Sequence, residues 1–107
     1  MVELHVNRQS VNCVAVADFS AAVAHGAGAF YFIEGERGSL CIAIVVPGET
    51  EPRNLPILLG RKADRHWEWD GNREQPTLSP SISARRADPQ MSELWHGFLR
   101  AGRLESV

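Results

Sequence analysis

The segment HWEWDGNREQPTLSPSI, residues 66–82, constrains the fold of this chain more than any other. At its start, tryptophans alternate with a histidine and two acids. Side chains two residues apart share one face of a β-strand. Trp67 and Trp69 therefore share a face that can be buried, and the polar side chains share the opposite face. The pattern predicts a half-buried strand with its tryptophans turned toward the core.

The second half of this segment predicts a turn and then an irregular edge strand. Asp70-Gly71 is a tight-turn signal. Pro76 and Pro80 flank the tripeptide Thr-Leu-Ser, and neither proline can donate a hydrogen bond to a strand ladder. The chain that follows, residues 81–85, can extend. We expect this strand to lie at a sheet edge or to begin with a bulged segment.

The remaining apolar runs are short and are separated by turn signals, as in a small β domain. Strand candidates lie at residues 2–6, 11–17, 28–33, 40–46 and 55–59. Asp18 can cap a short helix, and Pro56 confines its strand to an edge or forces a bulge. We predict a single domain, 1–107, that is mainly β (α+β at the margin). Its architecture is a small antiparallel sheet or sandwich of five to seven short strands with one short helix near residues 19–25.

The predicted core draws on most of these strands. Its members are Phe30, Phe32, Leu40, Ile42, Ile44, Trp67, Trp69, Ile82, Trp95 and Leu99. Ala101-Gly102 is a two-residue turn that predicts a terminal hairpin. Gly97 removes a side chain in the middle of the first strand of that hairpin. An aromatic neighbour, Trp67 or Trp69, is therefore expected to pack over it.

Composition narrows the classes of partner. The chain has 107 residues, with 11 basic and 13 acidic side chains and a formal charge of −2. That balance predicts no broad basic surface for nucleic acid. No apolar run is long enough to span a bilayer, and the N-terminus lacks the pattern of a signal peptide. We expect a cytoplasmic protein with no membrane partner.

Four side chains could form a metal site. His66, Glu68 and Asp70 alternate on one strand face, and His96 could approach them from the final hairpin. Such a set could hold zinc. The simpler interpretation is a solvated face opposite two packed tryptophans, and we favour it. We therefore assign no metal ion and no cofactor, and keep the four residues as candidates.

Nucleophilic catalysis has weak support in the sequence. Ser79 and Ser81 stand beside prolines, His96 could act as a base, and several acids are available. No G-x-S-x-G nucleophile elbow is present, and serines beside prolines usually form turn hydrogen bonds. Cys13 and Cys41 lie in apolar runs rather than in exposed electropositive sites. We assign no catalytic residues and leave enzyme activity open, with a non-enzyme favoured.

Nucleic-acid binding has a similarly limited basis. Basic residues cluster in the segment 61–65 and again at Arg85-Arg86. Tryptophans between such clusters could stack on bases. Acids within and beside the first cluster dilute its charge, so we do not expect nucleic acid as the partner. A weak nucleic-acid-binding module remains the second alternative function.

Three sequence blocks carry a resemblance to a known family. They are W-x-W-D-G at 67–71, PT-x-x-PSI at 76–82 and WHGFLRAG at 95–102. This pattern resembles a family of small uncharacterised proteins of phages and prophages, which has no established biochemical activity. Many relatives also carry a cysteine cluster of the kind that holds zinc, and this chain lacks it. The resemblance implies a phage- or prophage-associated protein in the cytoplasm of a bacterial host cell.

The favoured function from the sequence is non-enzymatic protein–protein binding. By family association, it would inhibit a host defence system such as a CRISPR nuclease complex. The expected partner is a host or phage protein, and self-pairing through an edge strand would give a homodimer. The candidate contact residues are Arg65, His66, Glu68, Arg85 and Arg86. The first alternative is a small zinc-binding protein of unknown activity.

Overall fold

A computed structural model of the chain describes residues 10–58 and 66–107. These residues form one helix, one turn of 3-10 helix at Glu36–Gly38, and ten strands in three sheets. In chain order the elements are β1 (Ser10–Asn12), β2 (Val14–Ala15), α1 (Phe19–His25), β3 (Ala29–Glu34), β4 (Leu40–Ile44), β5 (Arg53–Leu58), β6 (Glu68–Trp69), β7 (Leu78–Ser79), β8 (Ile82–Arg85), β9 (Glu93–Arg100) and β10 (Arg103–Ser106). The mainly β class is confirmed. Several strands have only two or three residues, so the described part of the chain holds more strands than the five to seven expected.

One sheet has the order β2-β3-β4-β5. β3 and β4 form a hairpin, and β4 lies inside the sheet, where it pairs with β3 on one side and β5 on the other. β5 lies at the edge, and its pairing with β4 shifts register between Leu40 and Cys41. Pro56 lies in this edge strand, so the expectation of an edge or a bulge is confirmed in both respects.

The single helix forms where the sequence placed it. Asp18 is its N-cap, and its Oδ1 accepts a hydrogen bond from the Ala21 N–H at 3.0 Å. Gly26 ends the helix at φ 90°, a conformation that favours glycine. Only Ala22 of the helix is buried, and it packs against Ala29 and Val45 on the back of the sheet. Tertiary packing of this small patch holds a helix too short to be stable alone.

The other large sheet has the order β1-β10-β9-β8. β9 and β10 pair through Arg100 and Arg103, so Ala101-Gly102 is the predicted two-residue turn. Both turn residues have positive φ, 47° and 73°, as a type I′ hairpin turn requires. β8 pairs with β9 and ends the sheet, so the strand after the prolines is an edge strand as expected.

The core lies where the two large sheets meet. Its buried residues are Phe30, Leu40, Ile42, Ile44, Val46, Leu55, Ile57, Leu78, Ile82, Ala84, Trp95, Leu99 and Leu104. The prediction of Trp67 and Trp69 as core residues is only partly right, because both are half-buried at its margin. Each indole N–H has a backbone partner there: Trp67 donates to the Ser81 carbonyl and Trp69 to the Asn72 carbonyl. An indole with a polar partner is favoured at such a margin.

Gly97 packs differently from the expectation. The aromatic ring beside its Cα belongs to Trp95, two residues earlier on the same strand, and not to Trp67 or Trp69. Side chains two apart in a strand share a face, so Trp95 can lie flat along β9 where Gly97 leaves space. Trp95, Gly97 and Leu99 are all buried, which confirms the predicted inner face of β9.

Two of the sequence blocks meet across the fold. The Pro76 carbonyl accepts a hydrogen bond from the Gly102 N–H at 3.0 Å. The Thr77 hydroxyl accepts one from the Ala101 N–H at 2.8 Å. Pro76 is fully buried. The segment that contains Pro76 and Thr77 therefore packs against the terminal turn.

The predicted strand at 2–6 lies outside the described residues. Within the described ranges, no helix has the length and apolar character needed to cross a membrane.

Candidate functional site

The hairpin of β8 and β9 brings together the side chains of a candidate site. Ser83 lies directly opposite His96, and Ile82 lies opposite Gly97. Side chains of directly opposed residues are on the same face of the sheet. Ser81, two residues before Ser83, projects on that face too. Pairing alone therefore places Ser81, Ser83 and His96 on one side of the hairpin.

A bulge in β9 adds an acid to this face. The register shifts between Ala84 and Arg85, so Ala84 pairs with Trp95 but Arg85 pairs with Glu93. Leu94 is the extra residue, and it packs against the hydrophobic core. Without the bulge, Glu93 and His96 would lie on opposite faces, because side chains alternate. The bulge turns Glu93 to the side of His96.

The Ser81 hydroxyl and the His96 ring are in hydrogen-bond contact. Ser81 Oγ lies 3.0 Å from His96 Nε2. The other ring nitrogen, Nδ1, lies 3.6 Å from Glu93 Oε2, within ion-pair range but beyond a hydrogen bond. With a proton on Nδ1, the ring accepts a hydrogen bond from Ser81 at Nε2, and its Nδ1 lies within ion-pair range of the Glu93 carboxylate. This is the arrangement of a nucleophile, its general base and the acid that orients the base.

The site is open to substrate. The side chains of His96 and Glu93 are 37% and 46% exposed, and Ser81 is half-buried. A cleft of about 270 Å³ adjoins Ser81. Its walls are formed by His66, Trp67, Pro80, Ser81 and Ser83. A molecule in this cleft would therefore lie against Ser81.

Trp67, the first tryptophan of the 66–82 segment, holds the main chain at Ser81. Trp67 Nε1 donates to the Ser81 carbonyl at 3.3 Å. The Trp67 N–H in turn donates to the Pro56 carbonyl of β5 at 2.9 Å. Ser81 directly follows the cis Ser79–Pro80 peptide bond. The serine is thus connected through one side chain to the opposite sheet.

The loop between β8 and β9 is closed by Asp88. Its carboxylate accepts hydrogen bonds from the Ser92 N–H at 3.0 Å and the Ser92 hydroxyl at 2.7 Å. These bonds, the hydroxyl first, hold the pKa of Asp88 below its usual value. The Arg86 N–H also donates to the Ser92 carbonyl. The hairpin that carries the site therefore has a hydrogen-bonded end.

The cysteines are not part of this site. Cys13 and Cys41 are free and half-buried. Burial raises the pKa of Cys13 to about 11, which keeps it a protonated thiol near neutral pH. The thiolate is the nucleophilic form of cysteine, so Cys13 is a poor nucleophile.

The four metal candidates separate in the structure. His66 lines the cleft beside Ser81, and His96 is hydrogen-bonded to Ser81. Asp70 instead accepts hydrogen bonds from the Asn72 and Thr77 N–H groups in the loop after β6. Among residues 10–58 and 66–107, no three His, Cys, Asp or Glu side chains are grouped to hold a metal ion.

The predicted contact residues lie in two segments of the chain, 65–68 and 85–86. His66, Glu68, Arg85 and Arg86 are exposed, and Arg65 lies outside the described residues. Arg85 Nη1 donates to the Met91 carbonyl at 3.4 Å. Two of these residues, His66 and Arg85, belong to the surroundings of the serine: one lines its cleft and the other lies opposite Glu93.

Comparison with known families gives this geometry a context. Residues 16–107 match the family described as "Bacterial ubiquitination-like system serine protease (BubE)". The chain belongs to this family. No curated protein and no solved structure matches it. The matched residues include the whole β8–β9 hairpin.

The family membership overturns the function favoured from the sequence. Non-enzymatic protein binding, with inhibition of a host defence system, is wrong, because the matched family is a protease family of a bacterial system. The sequence offers Ser81 and His96 as candidates for catalysis, whereas no pattern in it distinguishes Glu93 from the other acidic residues. The missing signal was strand pairing: Ile82 to Arg85 had to be paired with Glu93 to Arg100 before the three side chains could converge.

Proposed function

We propose that this chain is a serine protease of a bacterial ubiquitination-like system. In this proposal Ser81 is the nucleophile, His96 the general base, and Glu93 the acid that orients His96. The observation that carries the proposal is the contact of Ser81 Oγ with His96 Nε2 at 3.0 Å, with Glu93 at the other ring nitrogen. The setting comes from the family description, since the geometry itself specifies only acyl-transfer chemistry.

The chain order of these residues has a precedent in another fold. Nucleophile, acid and histidine follow one another as Ser81, Glu93 and His96. The same order occurs in α/β-hydrolases, which share neither this fold nor its nucleophile elbow. Triads of this kind recur on unrelated folds and are recognised by geometry. A single β-hairpin is a compact way to hold all three residues.

The proposed reaction proceeds in two steps. Ser81 Oγ forms a bond to the scissile carbonyl carbon while His96 Nε2 takes the hydroxyl proton. The bond to the leaving group then breaks, His96 returns the proton to the leaving group, and an acyl ester remains on Ser81. In the second step His96 takes a proton from water while the water oxygen forms a bond to the ester carbonyl carbon. The bond from that carbon to Ser81 Oγ then breaks, His96 returns the proton to Ser81 Oγ, and the acid is released.

Active-site labelling tests the proposal directly. A fluorophosphonate probe bonds to an activated serine oxygen with loss of fluoride. We expect one adduct per chain, mapped to Ser81 by mass spectrometry. Ser81→Ala should abolish labelling. Ser83→Ala is the matched control, because Ser83 lies on the same face two residues away, and it should label at the normal rate.

The acid is tested in the same assay. Glu93→Gln should slow labelling by about 10²- to 10⁴-fold, because the imidazolium and its ring orientation lose their carboxylate. Glu105→Gln on β10 is the control, since Glu105 pairs with Arg100 rather than with His96. Labelling of a folded protein at a residue other than Ser81, or unchanged labelling of Ser81→Ala, would refute the assignment.

A further inference from the structure

The edge of β8 beside Ser81 has main-chain groups directed away from the sheet. The His96 carbonyl accepts a hydrogen bond from the Val107 N–H at 3.0 Å, so the main chain of His96 is directed away from β8. His96 and Ser83 are therefore a non-hydrogen-bonded pair of the antiparallel ladder. It follows that the N–H and C=O of Ser83 are directed away from β9, toward the outer edge.

Both neighbouring carbonyls on that edge are already occupied by side chains. The Ser81 carbonyl accepts from Trp67 Nε1 at 3.3 Å. The Arg85 carbonyl accepts from Arg53 Nη2 at 2.7 Å, and Arg53 is held in turn by Glu49 at 2.7 Å. β8 is the last strand of its sheet in the described part of the chain. The open part of this edge is thus centred on Ser83, which is exposed and lines the cleft next to Ser81.

We propose that the acyl side of the substrate binds as a short extended peptide segment that pairs with the main chain of Ser83. This rests on the proposed function of Ser81. One donor and one acceptor at strand geometry are complementary to another main chain. Ser81 and Ser83 are about 7 Å apart along the strand, at roughly 3.3 Å per residue. A peptide residue about two positions from the scissile carbonyl therefore pairs with Ser83.

A second copy of this chain fits the same edge less well. Strand pairing between protomers needs a row of open donors and acceptors, whereas Trp67 and Arg53 occupy the carbonyls on either side of Ser83. One residue's pair of hydrogen bonds suits a substrate segment that is bound and released. A peptide segment paired with Ser83 would also place its carbonyl carbon near Ser81, the proposed nucleophile.

The experiment uses 4-nitrophenyl esters of one leaving group and increasing length. The probes are 4-nitrophenyl acetate and the 4-nitrophenyl esters of N-acetylated peptides of one to four alanines. We expect kcat/KM of the full chain to rise once the peptide is long enough to reach Ser83. Ser83→Pro removes the outward N–H, removes the hydroxyl and fixes φ, and an edge strand tolerates proline where the N–H lies outside the ladder. This variant should lose the rise with peptide length, roughly tenfold in kcat/KM, when its rate for each peptide ester is divided by its own rate for 4-nitrophenyl acetate.

Ser83→Ala is the matched control, because it removes the hydroxyl and keeps the N–H. It should retain the full dependence on peptide length. A scan of N-methylated alanines in the longest ester repeats the test on the unaltered protein, and one position near the second residue should lose the rise. This second arm decides the result if Ser83→Pro does not fold.

The outcomes separate this inference from the proposed function. If Ser81→Ala hydrolyses 4-nitrophenyl acetate as fast as the unaltered chain, the proposed function fails. If hydrolysis depends on Ser81 but kcat/KM is independent of peptide length and N-methylation, only the pairing at Ser83 is refuted. A dimer that becomes monomeric in Ser83→Pro, with unchanged peptide kinetics, would assign the edge to a second copy and also refute the inference.

Discussion

At the scale of single residues, the site depends on which nitrogen of His96 faces which neighbour. Nε2 meets the Ser81 hydroxyl, and Nδ1 faces Glu93. Serine is a weak nucleophile at its own pKa and needs an adjacent base, whereas a cysteine needs only a lowered pKa. In this chain burial has the opposite effect on Cys13, raising its pKa to about 11. Ser81, with a base beside it, is therefore better suited to act as a nucleophile than Cys13.

The protonation of Cys13 gives a prediction about stability and pH. In the unfolded chain the thiol ionises near its ordinary pKa of 9.0, but in the folded chain it ionises only near about 11. Between these values the folded state binds the extra proton, so the free energy of unfolding falls as pH rises. We expect Cys13→Ala to lose less stability between pH 8.5 and 10.5, measured as the urea midpoint.

The hydrolysis assay is the control for the Cys13→Ala variant. Cys13→Ala should hydrolyse 4-nitrophenyl acetate at the normal rate, because Cys13 lies outside the cleft. Equal pH dependence in both proteins would show that burial does not hold the thiol protonated. A loss of hydrolysis with normal folding would contradict the exclusion of Cys13 from the chemistry.

At the scale of elements, the bulged hairpin of β8 and β9 constructs the site. Regular alternation would separate Glu93 from His96, and one extra residue, Leu94, reverses this. On the inner face of β9, the Trp95 ring packs beside Gly97. This packing holds in place the strand that carries His96. Core packing on one face of β9 and the candidate triad on the other are therefore coupled through the same backbone.

Substitution of Gly97 tests that coupling. A Cβ at this position would overlap the Glu105 carbonyl oxygen on β10 and the ring of Trp95. We expect Gly97→Ala to lower the free energy of unfolding by about 1–3 kcal/mol, the usual range for overpacking. We also expect slower fluorophosphonate labelling at Ser81, because the adjacent His96 must shift. Urea unfolding and labelling rates measure the two effects.

Gly35→Ala is the control for Gly97→Ala. An added Cβ there meets mainly the Ser39 hydroxyl, the end of a side chain that can rotate, at a turn far along the chain from β9. It should change stability little and leave labelling unchanged. If Gly97→Ala were as stable as the unaltered protein, the packing of Trp95 against β9 would not be as described.

At the scale of the whole molecule, distant sequence segments are joined by a few hydrogen bonds. Pro76 and Thr77 accept hydrogen bonds from the terminal turn, Ala101-Gly102. Trp67 links β5 of one sheet to Ser81 beside the other. Trp67 also lines the cleft beside Ser81, so the shape of the cleft depends on how the two sheets are placed and not on the hairpin alone.

Thr77 supplies a test at this scale. Thr77→Val keeps the shape of the side chain but removes the oxygen that accepts from the Ala101 N–H. We expect a loss of about 0.5–1.5 kcal/mol in the free energy of unfolding, seen as a lower midpoint in urea. Labelling at Ser81 in the folded protein should be nearly unchanged, since Thr77 does not line the cleft.

Thr77→Ser is the matched variant, because it retains the hydroxyl. Its stability should lie closer to that of the unaltered chain than that of Thr77→Val. Equal stability of the serine and valine variants would mean that the hydrogen bond to the terminal turn contributes nothing measurable.

Much of the fold follows from local pattern. The helix at 19–25 is predicted by a capping aspartate and a run of alanines, and the Ala101-Gly102 hairpin by two residues that accept positive φ. Pro56 and the prolines at 76 and 80 indicated edge strands, because proline has no N–H to donate. These features depend on neighbours in sequence. The assignment to a single domain, the cytoplasmic location and the phage resemblance stay predictions.

The candidate site could not be derived in the same way. In the sequence, Ser81 is a serine beside a proline and Glu93 is one acid among 13 acidic residues. Only the pairing of β8 with β9, and the one-residue bulge within it, places both beside His96. Register and bulges depend on which side chains the core accepts from both sheets, and that is a property of tertiary packing. The sequence thus determined the strands and turns, whereas the tertiary structure decided which faces meet and so made a serine, a histidine and a glutamate neighbours.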